Sequence, residues 1–325
     1  MALKPLNEAH ALQIQAGIMG RKTGHTFEED IAQEINSFDY PLDIVDLGDG
    51  HVFQGSPATL CLRYIAERKK IKRIVKASAL STGTLATSEE GKKCLSIGGT
   101  NITRCKSDIV ITITDDNGKS QTIGVSTKQC DTKRPTNAQL YFTTARGFAN
   151  LLQSNGIAVS NNAARGLRQF CGDLGFRPID DPASLKDRRT DPRRFFWEEI
   201  DLKGRVELEC IFAKRQKEIS RLLLQKAYLD EPFIPDYLLH KTKHSDSWQT
   251  TEIALYSIAE LIILSLAYQG FVTKSYSVKK GSYKDPPGIT HHAPRFGIIQ
   301  MQRGGQQQHP EQLQFNLEAG YFYKI

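Results

Sequence analysis

Residues 106–128 read KSDIVITITDDNGKSQTIGVSTK, two apolar β-type runs around a tight polar turn. The first run, residues 108–113, is almost wholly β-branched after its opening acid, Asp108. Asp115-Asp116-Asn117-Gly118 supplies the turn. Asn-Gly is a strong hairpin signal because both residues tolerate positive φ. The second run returns through residues 122–128 and closes on Ser126-Thr127-Lys128. Both runs are apolar without strict alternation, which predicts a sheet covered on both faces and hence an α/β layer.

Outward from the hairpin, the chain alternates helical and β patterns. Upstream, residues 1–36 look helical, with Phe27, Ile31 and Ile35 recurring every four residues. Residues 40–66 carry a turn at Gly48 and Gly50, and the next piece, ATLCLRYIAERKKIKR, reads as a helix with a basic end. Residues 79–100, rich in Ser, Thr and Gly, read as a loop. Downstream, the basic loop CDTKRPTN is expected to lead into a helix started by Pro135-Thr136-Asn137 and faced by Tyr141, Ala145, Phe148 and Leu152. NNAARGLRQFC makes a further short helix. Residues 173–197, dense in Asp, Arg and Pro, read as a long loop and as the best place for a change of subdomain. Within it, Phe195, Phe196 and Trp197 read as core anchors. Residues 206–229 and 251–268 read as helices, and the tail from Ser275 as mostly β.

Length and composition bound the class. A chain of 325 residues can bury a large core, and 39% hydrophobic with 24% charged residues fits a soluble globular protein. The most apolar run, Ile253–Tyr268, is too short to span a bilayer and holds Glu260, which predicts a buried helix. The N-terminus lacks the charged head and apolar core of a signal peptide. The six cysteines show no C-x-x-C spacing and read as reduced thiols, so a cytoplasmic location without membrane contact is expected. The net charge of +7 favours polyanionic partners.

Alternation along the second strand puts Ser126 and Lys128 on one face and Thr127 on the other. An acid at the head of one strand and a lysine at the tail of its partner can stand side by side. Such a pair suits phosphodiester hydrolysis. Asp108 is a candidate oxygen ligand for Mg2+, which takes one or two carboxylates and keeps waters and phosphate for the rest. A backbone carbonyl of the second strand is a further candidate ligand, and Lys128 can stabilise the charge that builds on the phosphate.

An acid at a strand head, a hairpin, and then x-x-Lys at the end of an apolar strand resembles the PD-(D/E)xK nuclease superfamily. Gly24-His25-Thr26-Phe27-Glu28 resembles the helix glutamate found early in many type II restriction endonucleases. The tail is similar to their C-terminal part, with Ile299-Gln300-Met301-Gln302-Arg303-Gly304-Gly305 followed by Leu313-Gln314-Phe315-Asn316-Leu317. Two positions depart from the pattern. Ser107 replaces the motif proline, and Ser126 stands where the second acid belongs. The missing carboxylate is therefore expected from the first helix, at Glu28, with Glu29 as the fallback.

The resemblance implies one endonuclease domain over 1–325. Its expected fold is a central mixed β-sheet flanked by helices, restriction-endonuclease-like, with a catalytic core at about 15–172. A helical and β DNA-recognition part at about 190–325 completes it. The implied activity is sequence-specific cutting of double-stranded DNA with Mg2+. Asp108, Ser126, Lys128 and Glu28 are the catalytic candidates, and Asp108 and Glu28 the metal ligands. Amide and guanidinium side chains suit base edges in the major groove, so Gln300, Gln302, Arg303, Gln306, Gln307, Gln314 and Asn316 are expected to face DNA. Gly304 and Gly305 would let backbone approach it closely. Lys133 and Arg134, like Arg188-Arg189, Arg193-Arg194 and Lys279-Lys280, are candidates for phosphate contact. His291-His292 lacks a third ligand at fitting spacing and reads as a loop touching DNA, not as a zinc site. A homodimer matches palindromic sites, and a companion DNA methyltransferase is implied in the same system. Two rivals remain: a repair or structure-specific nuclease of the same superfamily, and a non-catalytic DNA-binding protein on the same fold.

Overall fold

A computed structural model describes residues 26–82, 96–97, 100–101, 105–186, 191–226, 233–268, 271–276, 290–303 and 312–325. In chain order the elements are helix α1 (26–37), β1 Leu42–Asp43, β2 Val52–Gln54, α2 Pro57–Arg68, β3 Arg73–Ser81, β4 Ser96–Ile97, β5 Thr100–Asn101, β6 Ile109–Asp115 and β7 Ser120–Gln129. They continue with β8 Ala138–Thr143, α3 Ala145–Ser154, α4 Asn161–Cys171, α5 Leu202–Lys214, α6 Gln216–Gln225, β9 Tyr237–Lys241 and β10 Glu252–Ser257. The last are α7 Ile258–Leu266, β11 Phe271–Tyr276, β12 His291–Phe296, β13 Ile299–Arg303 and β14 Leu313–Leu317. Among the described residues no helix is long and apolar enough to cross a membrane. The chain forms two compact units, each drawn from interleaved segments, and the 173–197 stretch lies within one of them.

One unit (15–138, 224–261 and 319–325) is built on a seven-stranded sheet ordered β1-β3-β6-β7-β9-β10-β2. Its pairs are antiparallel except β7 with β9, which run parallel, so the sheet is mixed. The hairpin at its centre forms as its residues demand. Asp115 Oδ1 accepts from the amides of Asn117 and Lys119, and Gly118 takes φ +74° to close the turn. The odd-numbered residues Ile109, Ile111, Ile113, Ile123, Val125, Tyr237, Leu239, Ile253 and Leu255 share one cluster with Phe27, Ile31 and Ile35 of α1 and Leu62 and Ile65 of α2. The two helices thus cover one face. On the other face His240 and Tyr256 meet the C-terminal Tyr321.

The second unit holds a five-stranded sheet, β11-β12-β13-β14-β8, and the helices α3 to α6. Phe148 of α3, Phe212 of α5, Phe296 and Phe315 form its aromatic core. Phe196 and Trp197 are fully buried there as well, as core anchors should be.

Three expectations are corrected. Residues 138–143 form strand β8, and the helix faced by Phe148 and Leu152 starts only at Ala145, capped by the Thr144 hydroxyl. The apolar positions Tyr141 and Ala145 fit a helical spacing across that boundary, which hid the strand. The run Ile253–Tyr268 is not one helix, because Glu252–Ser257 is strand β10, buried between β9 and β2. A continuous apolar run has no period that separates a two-sided strand from a buried helix. The basic piece after α2 is not helical to Arg73. The helix ends at Arg68, Lys70 turns the chain at φ +57°, and β3 runs through the supposed start of the loop at 79.

Candidate active site

Asp108 sits one residue before β6. Its amide donates to Val125 O at 2.9 Å, and its carbonyl accepts from Thr82 N at 2.9 Å. The β6–β7 register, Ile109 opposite Val125, puts Asp108 opposite Ser126. The Ser126 hydroxyl donates to Asp108 Oδ2 at 3.0 Å, and the Thr127 amide donates to the same oxygen at 2.7 Å. Lys128 Nζ lies 3.6 Å from Asp108 Oδ2, donates to Ser126 Oγ at 3.2 Å, and also donates to the carbonyl of Thr127. Ser126 therefore relays between ammonium and carboxylate.

Glu28 arrives from the opposite face. It shares the α1 stripe with Phe27, Ile31 and Ile35, and is buried. Thr127, whose side chain leaves β7 on the α1 face, donates its hydroxyl to Glu28 Oε1 at 3.0 Å. One residue thus holds both acids, Asp108 through its amide and Glu28 through its hydroxyl. Glu28 Oε2 is buried without a hydrogen-bond partner. Burial, reinforced by the charge of Asp108, raises the Glu28 carboxyl from 4.5 to about 8. Glu29 does not join the group: it is half-buried on α1 and accepts from Gln33 at 3.3 Å.

This donor set fits a hard divalent cation. It offers two carboxylates and a strand carbonyl, all oxygen, and one of the carboxylate oxygens is buried without a hydrogen-bond partner. Among the described residues no group of three or more His, Cys, Asp and Glu side chains is arranged around a metal position. Magnesium, which keeps several waters, does not require one.

His240 stands beside Lys128 in the parallel register of β7 and β9. Burial pulls its imidazole down to about 3, and the Lys128 charge adds to that. It is a neutral neighbour, with Nδ1 at 3.3 Å from the Tyr321 hydroxyl. Cys130 follows two residues after Lys128. Its thiol bonds with Thr132 Oγ1 at 3.1 Å and Thr136 Oγ1 at 3.4 Å, tying down the loop that exposes Lys133 and Arg134.

The tail candidates lie in the second unit. Gln300 and Gln302 on β13 pair with Asn316 and Gln314 on β14. Gln302 Nε2 donates to Gln314 Oε1 at 3.2 Å, and Gln314 Nε2 donates to Gln139 Oε1 at 3.0 Å and Asn316 Oδ1 at 3.2 Å. These side chains form an amide ladder, in which Asn316 is buried and Gln139 exposed. Arg303 is half-buried, with Nη1 3.7 Å from Asp191 Oδ2. His291 is buried. It stacks on Phe196 at 3.3 Å between centroids, and its Nδ1 meets Glu198 at 2.6 Å. Gly304, Gly305, Gln306 and Gln307 lie outside the described residues, as do Gly24-His25, Arg188-Arg189 and Lys279-Lys280.

Sequence reasoning treated Thr127 only as a spacer. The signal that could have found it is Glu28, a carboxylate on the apolar stripe of α1, which needs a buried donor to face.

No protein-family model matches this sequence, and no curated protein matches it either. Among solved structures it is similar to restriction endonuclease MspI in complex with its cognate DNA, at 14% identity and a TM-score of 0.43. The match covers 80% of this chain and 78% of that one.

Proposed function

We propose that this chain is a magnesium-dependent endonuclease that cuts double-stranded DNA at a specific short sequence. One observation carries the reading: Thr127 holds Asp108 and Glu28, acids from two different elements, beside the ammonium of Lys128. Glu28 and Asp108 would hold the ion, with the Thr127 carbonyl as a third oxygen. The ion, when bound, polarises a phosphoryl oxygen and lowers the pKa of a water.

The protein's own groups do the rest. Ser126 fixes the Asp108 carboxylate and carries Lys128 beside it. Lys128 offsets charge that builds on the phosphate in the transition state. Glu28 supplies from a helix the acid that Ser126 does not supply from the strand. Lys133 and Arg134, exposed on the following loop, are placed for phosphate contact, which positions DNA without specifying sequence. The amides of Gln300, Gln302 and Gln314 suit adenine edges in the major groove. A homodimer and a companion methyltransferase belong to the same reading.

A digest of supercoiled plasmid with Mg2+ tests it. Discrete linear fragments are expected, and a smear would favour a structure-specific or repair nuclease. A second reading, a DNA-binding protein without cutting activity, has one observation in its favour: Glu28 keeps its proton up to about pH 8 in the absence of a cation. Specific duplex binding with no cleavage in Mg2+ or Mn2+ would establish it.

A further inference from the structure

Helix α5 is apolar on two opposite sides. Gly204, Leu208 and Phe212 recur every four residues and are buried in their unit. Leu202, Val206 and Cys210 recur with the same spacing, displaced by two residues, and so run along the far side of the helix at about 100° per residue. That second stripe is exposed: Leu202 is 62% and Val206 58% accessible, and Cys210 is an exposed thiol. Ala158 joins the stripe, and the surface there encloses a shallow groove of about 570 Å³. One apolar stripe of a helix suffices to bury it, so a second, contiguous and exposed, marks an interaction site.

The charges beside the stripe say what covers it. Lys203 and Arg205 precede Val206, and Glu207 and Glu209 follow it. Suppose a second copy lies antiparallel on the first, with the two-fold axis through Val206. A residue n places before 206 then lies level with the residue n places after it in the other copy, and each flank of the stripe lies against the same flank of the other copy. Lys203 and Glu207 share one flank and Arg205 and Glu209 the other, so Lys203 comes beside Glu207 of the second copy and Arg205 beside Glu209 of the second copy, while Leu202, near the seam, lies level with Cys210 of the second copy. Each charge pair occurs twice. A parallel pairing brings opposite flanks together and would set Lys203 near Arg205 and Glu207 near Glu209 of the second copy. The acids are held in place beforehand. Glu209 Oε1 accepts from Trp197 Nε1 at 2.9 Å, and Glu207 accepts from the Ser160 amide at 2.9 Å and from the Ser160 hydroxyl.

We propose that the Leu202–Val206–Cys210 face of α5 is a two-fold interface between two copies of this chain, with the helices antiparallel. The surface is narrow, so the association is concentration-dependent rather than permanent. The inference does not depend on the DNA-cutting reading and stands or falls separately.

Disulfide trapping in the full-length protein without DNA tests it. Leu202→Cys is expected to give a covalent dimer through native Cys210, and adding Cys210→Ser should abolish that dimer. Val206→Cys is expected to cross-link with itself. Cys61, Cys130 and Cys171 are buried, and the Cys210→Ser arm controls for pairing through half-buried Cys105 or through Cys94, which lies outside the described residues. In sedimentation the wild type should shift from monomer to dimer as concentration rises, while Val206→Glu stays monomeric with an unchanged melting temperature. Three results would overturn the proposal: a wild type monomeric at its highest soluble concentration with no trapped dimer; self-association that persists in Val206→Glu; or Leu202→Cys dimers that form without Cys210. The last would place another partner, or another register, on this face.

Discussion

Two carboxylates in this chain stand at nearly the same distance from a cation, Asp108 at 3.6 Å from Lys128 and Asp191 at 3.7 Å from Arg303. Their surroundings are opposite. Asp191 gathers three guanidiniums. Arg193 donates from Nε and Nη2 at 2.8 Å, and Arg194 and Arg303 stand at 4.0 and 3.7 Å. Burial alone would raise its carboxyl, but the Arg193 hydrogen bonds outweigh that and hold it below its ordinary value. The cost falls on the cations: burial, with the charge of Arg194, pulls Arg303 down to about 10. At Asp108 the excess runs the other way, with two carboxylates to one ammonium and neutral donors in between. Positive crowding around one buried acid makes a structural lock. Two acidic groups around one lysine, one of them holding its proton in the absence of a cation, are what the proposed metal site rests on.

The largest effect that could break this contrast is on cleavage. Asp108→Ala and Lys128→Ala should each lower the plasmid-cutting rate by about a hundred-fold or more while duplex binding persists. Undiminished cutting by either variant would remove the assignment. Next comes the lock. Asp191→Asn strands the guanidiniums, and breaking a buried ion pair from one side costs about 3–5 kcal/mol. Thermal melting should fall by several degrees, whereas Asp108→Asn, which relieves repulsion, should not lower it in metal-free buffer.

The pH dependence sharpens the contrast further. The folded-state value of Glu28, about 8, exceeds its ordinary 4.5, so the folded chain keeps a proton that the unfolded chain has released. Its contribution to stability is complete below pH 4.5 and is lost as pH rises through 8. Metal-free melting temperatures should therefore decline across that window in the wild type. They should stay flatter in Glu28→Gln, which should also lose any stabilisation by added Ca2+. An identical decline in both would show that Glu28 is not the titrating group. The smallest effect belongs to Thr127→Val, which keeps the β-branched shape and removes the hydroxyl on Glu28. Ca2+ affinity by calorimetry should weaken about ten-fold, and Thr127→Ser should recover it. Equal loss in both substitutions would argue for packing alone.

What the sequence disclosed, and what it hid, follows the same physics. The β6–β7 hairpin was legible because its β-branched runs and Asn-Gly turn agree locally. α4 was legible as a short helix over NNAARGLRQFC, and the structure adds the Ser160 hydroxyl that caps it. β8 was not, since its partner β14 lies far along the chain, and β10 was not, since its apolar run continues unbroken into α7 and carries no period of its own. Asp108, Ser126 and Lys128 could be brought together from the hairpin alone. Glu28 could be named but not distinguished from Glu29, because helical phase decides which one turns inward. Thr127 was passed over because alternation sends it away from Lys128, and only α1 docking on that side gives it a task. Arg303 read as a base contact, and nothing near it in sequence reveals the Asp191 that it faces at 3.7 Å.

The parallel pairing of β7 with β9 carries a temporal consequence. Chains are synthesised from the N-terminus, and domains settle as their parts emerge. Glu28, Asp108 and Lys128 all leave the ribosome before β9, the strand that flanks Lys128 and puts His240 beside it. Tyr321, which meets His240, emerges later than β9. A nascent chain therefore carries every charged group of the site before it has the sheet that holds them. On the proposed reading, the enzyme would stay harmless to the DNA around it until β9 has docked beside β7.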